Sequence, residues 1–468
     1  MEDNKDNKEN KKESENNNQK KEETKEDKKD IEEKKEEKKD EKKEEKKEEK
    51  KEEKKEEKKE EKKEEKKEEK TWDSLHLSKD IVNGLLEMKF TAPSEIQAKS
   101  FPLIMEEPRK CVIAQAKNGE GKTTAFGLGV LSSIDLSCPQ IQAVIFEHTR
   151  ELINQTTSVL QKIAKFTKIK IVGITSNQNV SYDDIELGQI IVITPGLFKN
   201  VFLQRNKDND KLDKLKMLVL DEADYLLTND TCFKDCDRMF NYLKNKKKNV
   251  QVLFFSATFD ERCYKSIEKY YKDHHQIKLE TEKLTLDNVK QMYQECKTQD
   301  EKVNFIEQYL KVEKGAQRAI IFVNTKKYVV KLQETLIKRG HKIYILMGGD
   351  MDPKDRDRVI QKFKSGEIQI IITTNLLARG YDEQLVKLVI NFDLPIKKVD
   401  DDFEPDYENY LHRIGRTGRF GSDGVGLNLC CGAKDMENLM KIEKFYKTKI
   451  EKLPSLEELL EELKKMTI

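Results

Sequence analysis

The chain has no apolar run near the roughly 18 residues that a membrane-spanning helix needs. It has no hydrophobic stretch near its start that resembles a secretory signal, and almost no net charge, +1 over 468 residues. The first two absences lead to the expectation of a soluble, intracellular protein. Disulfide spacing is lacking too. The eight cysteines are scattered, and the tightest non-adjacent pair, Cys232 and Cys236, has helical spacing with His274 and His275 far downstream. That suits buried thiols in a reducing compartment better than a cross-linked framework or a zinc site.

Apolar side chains are nearly missing from the first seventy residues, where Met1 and Ile31 are the only ones. Ordering a residue costs about 1–2 kcal/mol of backbone entropy, and this segment has almost nothing to bury in return. Residues 1–70 are therefore expected to be a disordered, low-complexity tail. From about Glu32 it repeats EEKK. A period of four puts like charges at i and i+4, which opposes the helix that Glu and Lys otherwise favour. A basic nucleic-acid arm is disfavoured as well, because 28 lysines face 31 acids and their fields cancel. Beyond Lys70 the body is mildly basic, with 62 Lys and Arg against 58 acids.

What the body does have is a series of short Val- and Ile-rich runs separated by helix-length amphipathic stretches. The first series is CVIAQA (111–116), AVIFEH (143–148), IIVITP (190–195), MLVLDE (217–222) and VQVLFFSAT (250–258). The pattern lapses over a polar stretch near 280–300, then resumes with AIIFVNT (319–325), IYILMG (343–348), IQIIITT (368–374), KLVINFDL (387–394) and GVGLNLC (424–430). Such runs read as buried parallel strands of two α/β domains. The expected boundaries are 71–282, a linker over 283–299, and 300–468. Ligands of open parallel sheets sit at the carboxyl ends of strands, so the polar residues after each run are the ones that matter.

Two of those ends carry chemistry. After the first run comes AKNGEGKTT (116–124). Small residues let backbone N–H groups close around phosphates, a following helix start adds positive partial charge, Lys122 can reach the outer phosphates, and Thr123 can ligate Mg²⁺. After MLVL comes DEAD (221–224), three carboxylates in four residues. Side by side they repel and resist burial, which makes little sense without a cation or a proton-transfer task. With a phosphate loop nearby, Asp221 suits Mg²⁺, directly or through water, and Glu222 suits the proton of an attacking water.

With these motifs in order, the chain resembles the DEAD-box RNA helicases over residues 72–468. The resemblance rests further on KFTAPSEIQ (89–97), TREL (149–152), TPG (194–196), SAT (256–258), ARGYD (378–382) and HRIGRTGR (412–419). It implies two tandem RecA-like domains, ATP and Mg²⁺ as cofactors, and RNA bound without sequence readout. For the nucleotide it implies stacking on Phe90, a base-edge hydrogen bond from Gln97, and the upstream aromatic Trp72. It also implies a loop of Ala116, Lys117, Asn118, Gly119, Glu120, Gly121, Lys122 and Thr123, together with Asp382. Ser256 and Thr258 would couple hydrolysis to closure, Arg416 and Arg419 would act as arginine fingers, and His412 would face the DEAD segment. Arg150, Thr194, Gly196, Arg356 and Thr373 fall where the family meets RNA phosphates and sugars.

Within the family, AQAKNGEGKT (114–123), KFTKI (165–169), IIFVNTKK (320–327) and GDMDPKDRDR (349–358) are similar to the mRNA-export branch that works at the nuclear pore. So is the acidic stretch IKKVDDDFEPDYEN (396–409), which fills the place where that branch carries a longer loop than most helicases. That resemblance implies a monomer in the cytoplasm and at the nuclear envelope, with a nuclear-pore protein and an activator carrying inositol hexakisphosphate as partners. Translation-initiation helicases, a slow RNA clamp and a DNA helicase are the competing readings. Departures from the family pattern are Glu120 in place of a small or hydroxyl residue, His148 in place of proline, Gly348 in place of histidine and Pro353 in place of glutamine. Deleting residues 1–70 should leave the thermal midpoint and RNA-stimulated hydrolysis nearly unchanged. A large fall in the midpoint of the truncated protein would show that the tail packs.

Overall fold

The computed structural model describes residues 71–117, 119–175, 188–203, 210–246, 249–279, 288–312, 318–348, 351–375, 386–399, 402–418 and 423–466. The disorder expected of residues 1–70 and the roles expected of Asn118, Asp382 and Arg419 lie outside those residues. From Thr71 onward the chain packs as one unit.

The first sheet is built from β1 (Cys111–Gln115), β2 (Ala143–Phe146), β3 (Ile171–Ile174), β4 (Ile190–Ile193), β5 (Met217–Asp221), β6 (Gln251–Ser256) and β7 (His274–Lys278). All of its neighbours pair in parallel, in the order β3-β4-β2-β5-β6-β1-β7. Strands β1, β2, β4, β5 and β6 are buried throughout, because helices cover both faces. Alternation then divides the core: Ala143, Ile145, Met217 and Val219 face one layer, and Val144, Phe146, Leu218 and Leu220 the other. The strand order has a direct consequence for chemistry. It sets the carboxyl ends of β2, β5, β6 and β1 side by side, with Phe146 beside Leu220, Leu220 beside Phe254 and Gln115 beside Ser256.

The second sheet contains β8 (Val289–Cys296), β9 (Arg318–Phe322), β10 (Tyr344–Leu346), β11 (Ile370–Thr373) and β12 (Val386–Asn391). After a hairpin of β13 (Ile396–Val399) and β14 (Asp402–Pro405), β15 (Gly424–Cys431) and β16 (Glu451–Lys452) complete it. Its order is β10-β11-β9-β12-β15-β8-β16, again parallel throughout. Two sequence expectations change. The stretch 283–299, expected as a linker, contains β8, whose backbone pairs with β15 along its whole length. Its polar look follows from its place next to the two-residue edge strand β16, where half of its side chains stay partly open. The acidic stretch 396–409, expected as a loop, forms the antiparallel hairpin β13–β14 and runs straight into the helix Tyr407–Ile414. Asp406 caps that helix by accepting a hydrogen bond from the Asn409 N–H at 3.1 Å.

That helix is anchored from inside. Arg413 is fully buried, and its guanidinium donates to Asn375 Oδ1, Asn324 Oδ1, Asn391 Oδ1 and the Asp393 carbonyl at 2.7–3.3 Å while lying 5.3 Å from the Phe322 ring centre. Burial lowers its pKa to about 10, which leaves the charge in place at neutral pH. Among the described residues no helix is long and apolar enough to cross a membrane.

Candidate nucleotide site between the two domains

The turn after β1 is shaped by two left-handed glycines, Gly119 at φ 85° and Gly121 at φ 88°. Gly121 opens the helix Lys122–Ser132, and a Cβ there would lie 2.3 Å from Gln97 Nε2. The start of the helix Glu95–Met105 clamps this turn. Ser94 Oγ donates to the Glu120 carbonyl at 2.7 Å, and Gln97 Nε2 donates to the Gly121 carbonyl at 3.3 Å. Gln97 Oε1 accepts from the Ser94 N–H at 2.9 Å. Lys122 lies back across the turn, donating to the carbonyls of Ala116 at 2.9 Å and Lys117 at 3.3 Å. Glu120, the departure from the family pattern, folds inward: its Oε2 accepts from the Lys117 N–H at 3.1 Å.

A cavity of about 390 Å³ opens over this turn and is lined from both domains, by Phe90, Gln97, Lys122, Thr123, Asp221, Glu222 and Arg416 among others. Phe90 stands at its mouth, 37% exposed. Trp72 does not line it. The indole is buried in the core and its Nε1 donates to the Phe90 carbonyl at 2.9 Å, so it fixes Phe90 from behind. Gln155, Leu152 and Val159 also line the cavity, and the sequence reading did not single them out. Their signal was available: positions 152, 155 and 159 share one face of the helix Arg150–Ile163.

At the end of β5 all three carboxylates of the DEAD segment are buried. Glu222 has φ 48° and ψ 48°, a left-handed conformation that costs a non-glycine residue on the order of 1–3 kcal/mol. The turn is held by Asp221 Oδ1, which accepts from the Glu222 N–H at 2.9 Å. Asp224 accepts from Thr258 Oγ1 at 2.6 Å, which ties the end of β6 to the DEAD segment, and the Thr258 N–H donates to Ser256 Oγ at 3.5 Å. Burial, and next the charge of Glu222, push the Asp221 carboxyl up to about 7, with Lys122 pulling the other way. Glu222 Oε2 is buried without a hydrogen-bond partner. Crowded, desolvated carboxylate oxygens beside a phosphate-type turn fit a divalent cation.

The second domain supplies His412 and Arg416. His412 is fully buried, with Nε2 3.8 Å from Glu222 Oε2. Ligand atoms of Glu222, Asp224 and His412 lie within 4.8 Å of one another. Among the described residues this is the one place where metal-capable side chains gather, and Cys232, Cys236 and the histidines at 274 and 275 do not. Arg416 Nε donates to the His412 carbonyl at 3.0 Å, aiming the rest of the guanidinium at the cavity.

Of the residues expected at RNA, two bridge the domains. Arg150 of the first domain pairs with Asp357 of the second, and Arg356 of the second pairs with Glu151 of the first. Arg150 Nε and Nη1 and Arg356 Nε remain buried without partners. Thr194 caps its own helix, accepting from the Leu197 N–H at 3.3 Å. A Cβ on Gly196 would meet Asp235 Oδ2 at 3.2 Å. Thr373 is buried and donates to the Leu346 carbonyl at 2.8 Å.

A DEAD/DEAH box helicase family model matches residues 94–267, and a helicase conserved C-terminal domain model matches residues 301–421. The chain is similar to DEAD-box ATP-dependent RNA helicase 38 of Arabidopsis thaliana, 38% identical over 398 residues that cover 82% of this chain and 78% of that protein. Its fold is similar to S. cerevisiae Dbp5 bound to RNA and ADP BeF3, with TM-score 0.76, 32% identity and coverage of 85% of this chain and 100% of that one. It is also similar to a variant of S. cerevisiae Dbp5 bound to Nup159, Gle1, IP6 and ADP, with TM-score 0.57, 31% identity and coverage of 83% and 100%.

The raised Asp221 carboxyl sets a pH dependence. An unfolded aspartate titrates near about 4, so the nucleotide-free folded state holds this proton more tightly. That contribution to stability is complete below about pH 4 and is lost as pH rises through about 7. Asp221→Asn should therefore gain stability over the wild type as pH is raised from about 5 to about 8. Thermal unfolding of both proteins across that range checks it, and parallel curves would show that Asp221 is not held protonated.

Proposed function

The chain belongs to the DEAD-box ATP-dependent RNA helicases, and from that premise we propose that it remodels RNA or RNA–protein complexes during mRNA export, on the cytoplasmic side of the nuclear pore. The observation that carries the catalytic part is the single cavity in which Lys122, Asp221 and Glu222 of one domain meet Arg416 of the other. Lys122 and the backbone of 116–123 hold the phosphates of ATP. Asp221 and Thr123 would hold Mg²⁺, directly or through water, and the ion would neutralise the charge that develops on the phosphates. Glu222 takes the proton of the attacking water. Its Oε2 is buried and faces His412, which shields the carboxylate from bulk water. Arg416 delivers positive charge to the γ-phosphate from across the cleft, with Arg419, three residues on, as the second arginine finger.

Hydrolysis and RNA binding share the same closure. Thr258 links β6 to Asp224, so a shift at the phosphates is passed to the strand end. RNA is held through phosphates and sugars by Arg150, Thr194, Gly196, Arg356 and Thr373. The unpartnered guanidinium donors of Arg150 and Arg356 support this, because buried donors without a partner are costly unless an anion arrives. The likeness to the Dbp5 assembly with Nup159, Gle1 and IP6 supports two protein partners of those kinds. The hairpin β13–β14 suits the activator: Asp402 and Glu404 are exposed on it, and Asp400 and Asp401 precede Asp402 in sequence. A dense acidic patch steers a basic partner.

Two outcomes are expected. Glu222→Gln should keep ATP and RNA binding and lower turnover by about two to four orders of magnitude, the range for a lost general base. Wild-type turnover in a phosphate-release assay would remove Glu222 from that role. Neutralising Asp400, Asp401, Asp402 and Glu404 together, while keeping the cap Asp406, should leave basal RNA-stimulated hydrolysis within about twofold. Stimulation by a Gle1-type protein with IP6 should fall, and fall further at low salt, where screening is weakest. Undiminished stimulation would leave the hairpin as a connector.

A further inference from the structure

One carboxylate at the strand ends takes no part in the scheme above. Glu147 directly follows β2, and because Phe146 pairs with Leu220, Glu147 stands next to Asp221 at the same edge of the sheet. Residues 143 and 145 face the same core layer as 217 and 219, so alternation turns Glu147 and Asp221 to the same side. The side chain is fully buried. Thr156 Oγ1 donates to Glu147 Oε1 at 2.6 Å, while Oε2 has no hydrogen-bond partner.

A buried carboxylate oxygen without a donor is expensive, and two more carboxylates beside it make it worse. Burial, then Asp221 and Glu222, drive the Glu147 carboxyl well above its usual range. As packing, the position would be served better by alanine, which needs no donor. Thr156 holds one oxygen firmly and leaves the other without a donor. Ligand atoms of Glu147, Asp221 and Glu222 do not gather within the 4.8 Å that brings Glu222, Asp224 and His412 together. Contact with an ion through water fits that spacing better than direct ligation by all three.

We propose that Glu147 is a further residue of the divalent-cation site, a positioning group whose Oε2 accepts a hydrogen bond from water bound to the ion that Asp221 holds. The inference rests on the reading of Asp221 as the residue that binds the ion. Outer carboxylates of this kind orient bound water and raise metal affinity, and their loss typically costs about 10–100-fold.

The test separates metal from nucleotide. Mn²⁺ binding to the protein–ADP complex is titrated by electron paramagnetic resonance, and ADP binding is measured by calorimetry in EDTA. Glu147→Gln keeps the shape and an acceptor for Thr156. It should weaken Mn²⁺ binding by about 10-fold or more, while ADP affinity in EDTA stays within about twofold. Glu147→Ala should give the same split. The proposal is overturned if Mn²⁺ affinity is unchanged, or if ADP affinity in EDTA falls as far as Mn²⁺ affinity, which is the mark of a distorted site. Asp221→Asn decides which reading has failed. If it loses Mn²⁺ while Glu147→Gln does not, only the inference about Glu147 fails. If neither variant loses it, the reading of Asp221 falls as well.

Discussion

Carboxyl groups buried at the ends of two neighbouring strands are the constraint around which this protein is organised. Four carboxylates, Glu147, Asp221, Glu222 and Asp224, sit at or just beyond β2 and β5 and are withdrawn from water. Left to themselves they would weaken the edge of the first sheet. The structure answers each in a different way: Thr156 for Glu147, the Glu222 N–H for Asp221, and Thr258 for Asp224. Glu222, like Glu147, keeps one oxygen without a hydrogen-bond partner. It is held in a left-handed turn, with that oxygen 3.8 Å from His412 Nε2 of the other domain. The site is thus unfinished in the first domain alone.

The second domain is built to deliver that completion accurately. Arg413 sits between His412 and Arg416 in sequence but points inward, where three asparagines and a carbonyl hold it. A planar guanidinium with several fixed acceptors loses its rotational freedom. The helix Tyr407–Ile414 is pinned by it at one end and capped by Asp406 at the other, which fixes His412 on the helix and Arg416 just beyond its end relative to the second domain. The hairpin β13–β14 ends one residue before that helix begins, which gives anything seated on the hairpin a short mechanical path to His412.

Most of the architecture was legible because strands covered on both faces must be apolar along their length. Runs such as AVIF, MLVL and AIIF announced themselves, and the polar residues after them marked the site. The strands that escaped are those for which this pressure is relaxed. β7, HHQIK, is an edge strand, and β8, VKQMYQEC, lies one strand from an edge, so both keep polar side chains. Within the site, motifs picked out Gly119, Gly121, Lys122 and Thr123, which line the cavity. They did not show that Trp72 stands behind Phe90 instead of lining the cavity, or that Gln97 is tied to the glycine turn after β1. Those are matters of three-dimensional packing, invisible to spacing. Glu147 was visible, and its parallel with Asp221 as an acid ending an apolar strand was the signal that went unused.

The reciprocal pairing of Arg150 with Asp357 and of Arg356 with Glu151 adds a property that a single contact would lack. One ion pair between two bodies behaves as a swivel, since the bodies can turn about it at little cost. Two pairs with the charges exchanged behave as a key in a slot. Torsion about either pair strains the other, and straight separation must give up both together. Arg356 and Glu151 each have about a tenth of the side chain open to water, so salt screens that member of the couple least. Together the two pairs resist twisting of one domain against the other more than either pair would alone.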